Sequence, residues 1–204
     1  MHILHISSDF CNTKVHLNLY QKLSDLGLNQ TIYCPVRSEE QIGRNRYSAE
    51  NTNIIYDFVV KPYHRYVYHL KRLKVFHSLQ NKVDVKNVDL IHAATLFSDG
   101  GQAYKIFKKY HVPYVVAVRN TDINGFLDLL PNTWPAGIKI LRYAEKIFFI
   151  SIDTLHGSST DCRARQQANR TLFGTELHAC ERQNHPVCSA LLQIHEKRRC
   201  ASLG

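Results

Sequence analysis

No apolar run in this 204-residue chain approaches the roughly 18 residues that a bilayer-crossing helix needs. The opening "MHILHISSDF" goes straight into an alternating, strand-like pattern. It lacks the apolar stretch and small-residue cleavage site of a secretory signal. Both absences make a cytoplasmic protein the expectation. Cysteine is scarce where the patterning is strongest, since only Cys11 and Cys34 precede Ser151. A cytoplasmic setting argues against a disulfide framework. No G-x-G-x-x-G follows the first strand and no P-loop occurs, which leaves a dinucleotide or ATP site weakly supported.

What is present begins with an apolar share of 44%, enough for a real core. The net charge is +9, and through Ser151 there are 19 Lys+Arg against 12 Asp+Glu. Such a surface attracts nucleic acids, anionic lipid headgroups or phosphorylated substrates, and charge alone does not choose among them.

Strands and helices alternate along the body. "HILHIS" reads as a strand, followed by a helix with Val15, Leu19, Leu23 and Leu26 as its stripe, Asn12 or Thr13 as its cap and Gly27 as its stop. "QTIYCPV" and "NIIYDFVV" are the second and third strands. Residues 62–82 read as a helix with Val67, Leu70, Leu73, Phe76 and Leu79 as its stripe and a rim of His, Lys and Arg. "VDLIHAATLF", "VPYVVAVRN" and "IFFIS" complete the strands, separated by the helices "SDGGQAYKIFKKY" and "IKILRYAEK", the second entered through the turn "LLPNTWPAG". The pattern predicts an α/β fold: a doubly wound, Rossmann-like parallel sheet over residues 1–151.

Ligands of such sheets sit beyond the carboxyl ends of the strands. The candidates for contact with a polar or anionic ligand are therefore Ser8, Asp9 and Asn12 in "SSDFCN", and Arg119, Asn120 and Asp122 in "RNTDIN". A strand-end Arg can grip a phosphate or carboxylate through two hydrogen bonds, and Asn and Asp can align sugar hydroxyls. The plainer alternatives are turn and cap chemistry in the first loop, and an Arg119 pairing with Asp122 or Asp99 in the second. "SDGG" offers either free helix amides to an anion or simple capping by Asp99. His92 reads as a packed, hydrogen-bonded histidine. The 62–82 helix is either an ordinary outer helix or, through its basic rim, a candidate peripheral membrane contact.

The order from "MHILHISSDF" through "LNLYQKLSDLG", "VDLIHAATLFSDGGQAYKIFKKYHVPYVVAVRNTDIN" and "LRYAEKIFFIS" resembles the N-terminal half of a GT-B-fold, family-four glycosyltransferase of the bacterial surface and capsular polysaccharide type. The resemblance covers Met1–Ser151 and rests on segment order and on the "D-L-I-H-A" and "R-N-T-D" strands. It implies two Rossmann-like domains facing across a cleft, the N-terminal one binding the acceptor. The other binds a nucleotide sugar through a spaced glutamate pair and basic residues, with no metal needed for transfer. The implied reaction is hexosyl transfer to a saccharide or lipid-linked acceptor, on the inner face of the membrane. The chain departs from the pattern in its first loop, which lacks paired glycines, and at Ala94, where a second histidine is frequent. Residues 152–204 are too few for a donor domain, and Glu176, Glu181 and Glu196 do not form the glutamate pair. The expectation is a truncated, inactive acceptor half with no donor site, no cofactor of its own, no metal and no nucleic-acid partner.

Residues 152–204 differ in kind. All 11 tyrosines precede them, and Cys162, Cys180, Cys188 and Cys200 crowd in with four His and six Arg. One reading is a zinc site from His178, Cys180, His185, Cys188, His195 and Cys200, though the spacing fits no standard pairing. The preferred reading is an out-of-frame or foreign tail, poorly ordered and without a selected role. The alternative for the whole chain is a non-enzymatic Rossmann-like binding module with a metal- or partner-binding tail.

Overall fold

The computed structural model describes residues 1–61, 68–119, 122 and 133–149. Asn120, residues 62–67 and the tail 152–204 therefore lie outside the described residues. Six strands form one parallel sheet: β1 (His2–Ile6), β2 (Asn29–Pro35), β3 (Thr52–Asp57), β4 (Leu90–Ala93), β5 (Tyr114–Val118) and β6 (Lys146–Phe149). Their spatial order is β3-β2-β1-β4-β5-β6. Helices α1 (Lys14–Asp25), α2 (Tyr68–Lys82), α3 (Gly100–Tyr110) and α4 (Trp134–Arg142) connect them. This is the doubly wound α/β fold that the sequence predicts.

The strands are apolar on both sides because both sides are covered. Leu4 and Ile6 of β1 join Val116 and Val118 of β5 in a core with Val75, Leu79, Ala103, Ile106 and Ile140 from α2, α3 and α4. The alternate residues Ile3, Ile32 and Val115 pack on the opposite face with Leu19, Tyr20 and Leu23 of α1. A period of two thus divides each strand between two cores, as parallel sheets require.

Two helix stripes differ from the sequence expectation. In α1 the buried face is His16, Leu19, Tyr20 and Leu23, while Val15 and Leu26 are exposed. In α2, Val75 and Leu79 are buried but Leu70 and Leu73 are 38% and 58% exposed. Counting every third residue drifts by about 60° per step around a helix of 3.6 residues per turn, so the expected stripe leaves the buried face. The true face runs through positions 71, 75 and 79. Helix α4 starts earlier than expected, at Trp134, with Pro135 in its first turn, where a missing N–H costs no bond.

Caps and locks set the ends. Thr13 caps α1 by accepting from the Val15 amide, and Gly27 follows the helix at φ +77°. Asp57, at the end of β3, is buried and accepts from the Tyr33 hydroxyl and from Lys82 Nζ at 2.6 Å, fixing α2 to the sheet. Burial alone would raise the Asp57 pKa, but bonds from Lys82, Ser78 and Tyr33 prevail and hold it below the usual carboxylate value.

At Gly100, α3 packs closely against both β5 and α4. A Cβ there would lie 3.0 Å from Ile140 Cγ2, 3.2 Å from Val116 Cγ2 and 3.3 Å from the Thr95 carbonyl. Gly100→Val should therefore destabilise the chain by about 2 kcal/mol through overpacking, despite any gain in helix propensity. Urea denaturation of the full chain checks this. An unchanged midpoint would mean the junction of α3, α4 and β5 is not tightly packed.

Candidate functional site

Strand order reverses between β1 and β4, and the crevice beyond their carboxyl ends is where doubly wound sheets take ligands. Three segments reach it: the loop after β1 carrying Ser8, Asp9 and Asn12, the turn from Thr95 to Asp99 after β4, and Arg119 with Asp122 after β5. Most of the polar groups there are engaged with one another.

Asp99 is at the centre. It is fully buried and accepts from the Ser8 hydroxyl at 2.5 Å, the Ser8 amide at 3.2 Å and the Thr95 hydroxyl at 3.0 Å. It stands at the N-cap position of α3, but its carboxylate makes no bond to the helix amides. Nor are the first helix amides free for an anion. The Gly100 N–H donates to Thr95 O, that of Gly101 to Phe97 O, and those of Gln102 and Ala103 to Asp99 O. Burial pushes the Asp99 carboxyl up to about 7, against the bonds from Ser8 and Thr95, with the Asp9 charge adding to the rise.

Asp122 does the same work one strand further on. Its Oδ2 accepts from the Leu96 and Arg119 amides, each at 3.1 Å, and it is 5% exposed. Burial raises its pKa, opposed by those amides. The Arg119 side chain pairs with neither Asp122 nor Asp99. Its Nη1 meets Asp9 Oδ2 at 2.6 Å, joining the β1 loop to the end of β5 across 110 positions. The Asp9 side chain is 45% exposed and that of Arg119 27%, so this pair faces the mouth of the crevice.

Of the six sequence candidates, Ser8, Asp9, Arg119 and Asp122 come together here. Ser8 and Asp122 are turned inward, and Asp9 and Arg119 outward. Asn12 is exposed and accepts from Gln41 Nε2 at 3.4 Å, on the side facing the β2–β3 loop. Asn120 lies outside the described residues.

One site residue escaped the sequence reading. Lys71, assigned there to the basic rim, donates from Nζ to Ser98 Oγ at 3.1 Å. It shares the inward face of α2 with Val75 and Leu79. Burial lowers its pKa, and the charges that act on it are those of Asp99, Arg37 and Asp9. Reading the helix at i, i+4, i+8 instead of every third residue would have pointed Lys71 at the crevice.

Beneath the crevice the α1 face of the sheet holds a buried histidine pair. His5 and His92 meet through their Nδ1 atoms at 3.0 Å, so one ring donates and the other accepts. Burial lowers the His5 pKa to about 3, which keeps that ring neutral. His92 is thus the packed, hydrogen-bonded histidine expected. A cavity of about 380 Å³ lined by Gln80, Val83, Lys86 and Tyr110 lies at the other end of the sheet, where β4 begins.

No family model matches the chain, and no curated protein matches it. Among solved structures, it is similar to the apo form of translation elongation factor SelB from Methanococcus maripaludis, at 12% identity and a TM-score of 0.32. That match covers 90% of this chain, which spans 37% of the SelB chain's length.

Asp99 gives a pH signature. An unfolded Asp releases its proton near 3.9, whereas folded Asp99 keeps it to about 7. Between those values the folded state binds the extra proton, so stability falls as pH rises and the loss is complete above the folded pKa. From pH 5.5 to 8 the wild type should lose about 2 kcal/mol more than Asp99→Asn. The difference between the two proteins removes the opposite slope contributed by His5. Parallel pH profiles in denaturant melts would contradict a buried, proton-holding Asp99.

Proposed function

We propose that this domain is the acceptor-binding half of a glycosyltransferase of the GT-B type, holding a saccharide or lipid-linked saccharide at the mouth of the crevice. The observation that carries the reading is the partly exposed Asp9–Arg119 pair beyond β1 and β5. A carboxylate and a guanidinium fixed side by side can accept from one sugar hydroxyl and donate to a neighbouring hydroxyl or phosphate. Lys71, with Ser98, adds a cationic donor to the same crevice. Ser8, Asp99 and Asp122 act as positioning residues, since they hold the loops and face inward.

The sequence resemblance assigns the nucleotide sugar to a second domain, so this reading gives the present domain acceptor binding and no turnover by itself. Lipid-linked acceptors sit at a membrane surface. Among the described residues no helix is long and apolar enough to cross a membrane. The reading therefore uses peripheral contact, through the outer side of α2, where Leu70 and Leu73 are exposed beside His69, Lys74 and His77.

Saturation-transfer NMR on the full chain tests the proposal with hexoses, hexose 1-phosphates and short polyprenyl-linked saccharides. Binding of at least one class is expected, reduced tenfold or more by Arg119→Ala and by Asp9→Asn. No binding of any saccharide, or binding indifferent to both substitutions, would overturn it.

A further inference from the structure

Cys11 and Cys34 belong to no part of the crevice network, yet their sulfurs are 3.3 Å apart and both are buried free thiols. Cys11 is in the loop after β1, two residues beyond Asp9, and Cys34 is in β2. Bringing the sulfurs to bonding distance needs a closure of only about 1.3 Å. The loop is held for that approach. Asn45 Nδ2 donates to Phe10 O at 2.6 Å and to Thr13 O at 3.1 Å, bracketing Cys11. Asn45 itself sits at φ +59°, a conformation that Asn tolerates better than most residues.

We propose that Cys11 and Cys34 form a peroxide-responsive thiol pair that closes to a disulfide, fastening the loop that carries Ser8 and Asp9 to strand β2. The pair is asymmetric. Cys11 keeps 6% of its surface exposed and Cys34 none, so a small oxidant reaches Cys11 first. The contact with Cys34 lowers the Cys11 pKa, with Arg44 acting in the same direction against burial, while the contact with Cys11 and burial raise that of Cys34. Cys11 is therefore the nucleophile and Cys34 the resolving thiol.

In the first step the Cys11 thiolate attacks hydrogen peroxide. An S–O bond forms, the O–O bond breaks, and hydroxide leaves to become water. The Cys34 sulfur then attacks the Cys11 sulfenic acid, forming the S–S bond as the S–O bond breaks, and a second water carries off the Cys34 proton. Two thiols are oxidised and one peroxide is reduced to two waters. Excess dithiol reverses the closure. Closure of this thiol pair is independent of glycosyl transfer and of whatever the crevice binds.

The test treats the native full chain with increasing hydrogen peroxide, blocks remaining thiols by alkylation, and maps all six cysteines by peptide mass spectrometry. The expected result is a Cys11–Cys34 cross-linked peptide at the lowest effective peroxide, lost on adding dithiothreitol. In Cys34→Ser, Cys11 should instead accumulate as a dimedone-trappable sulfenic acid. In Cys11→Ser, Cys34 should stay reduced. Recovery of Cys11 and Cys34 as free thiols, or Cys11 linked to Cys162, Cys180, Cys188 or Cys200, would overturn the proposal without bearing on the saccharide reading. The wild-type measurement decides the matter even if a serine variant fails to fold.

Discussion

Two buried carboxylates hold the carboxyl ends of β1, β4 and β5 together, and the crevice depends on them. Asp99 ties the β1 loop to the β4 turn through Ser8 and Thr95. Asp122 ties the β4 turn to the end of β5 through the Leu96 and Arg119 amides. Buried backbone N–H groups at strand ends have lost their ladder partners and must be satisfied somewhere. A carboxylate meets that need for two strands at once, and its own desolvation appears as a raised pKa in both residues.

The consequence for function is a division of labour among residues that look alike in sequence. Asp9 and Asp122 are both strand-end aspartates. Asp122 is enclosed by amides, whereas Asp9 stands against Arg119 with nearly half its side chain in solvent. Only the second kind can meet a ligand without dismantling the fold. Lys71 reaches the same place from the opposite direction, on the helix that crosses from β3 to β4, so the mouth combines an ion pair from the sheet with a cation from the helical layer. The proposed acceptor site is this outward group, and the inward group is its scaffold.

Much of the fold was legible because it is written locally. Apolar runs such as "YVVAV" and a Gly27 stop need no distant partner to be read. The same is true of His92, whose place inside a strand already argued for burial. What escaped was either long-range or a matter of phase. Nothing near Arg119 in sequence announces Asp9, because the pairing exists only once β1 and β5 lie two strands apart in one sheet. Counting every third residue puts the α2 stripe out of phase, which hides Lys71 on the rim and places Leu73 in the core. "SDGG" looked like a helix cap or anion site because both use the same residues. Only the geometry shows the carboxylate turned back to Ser8 and the glycine spent on close packing with Ile140 and Val116.

Side-chain carboxylates, and not solvent or a ligand, satisfy the amides at these strand ends. Native-state hydrogen exchange on the full chain tests it directly at Ser8, Leu96 and Arg119. These three amides should exchange as slowly as those within β1 and β5, and Asp122→Ala should selectively expose Leu96 and Arg119 while leaving Ser8 protected. Loop-like exchange at all three in the wild-type chain would contradict it.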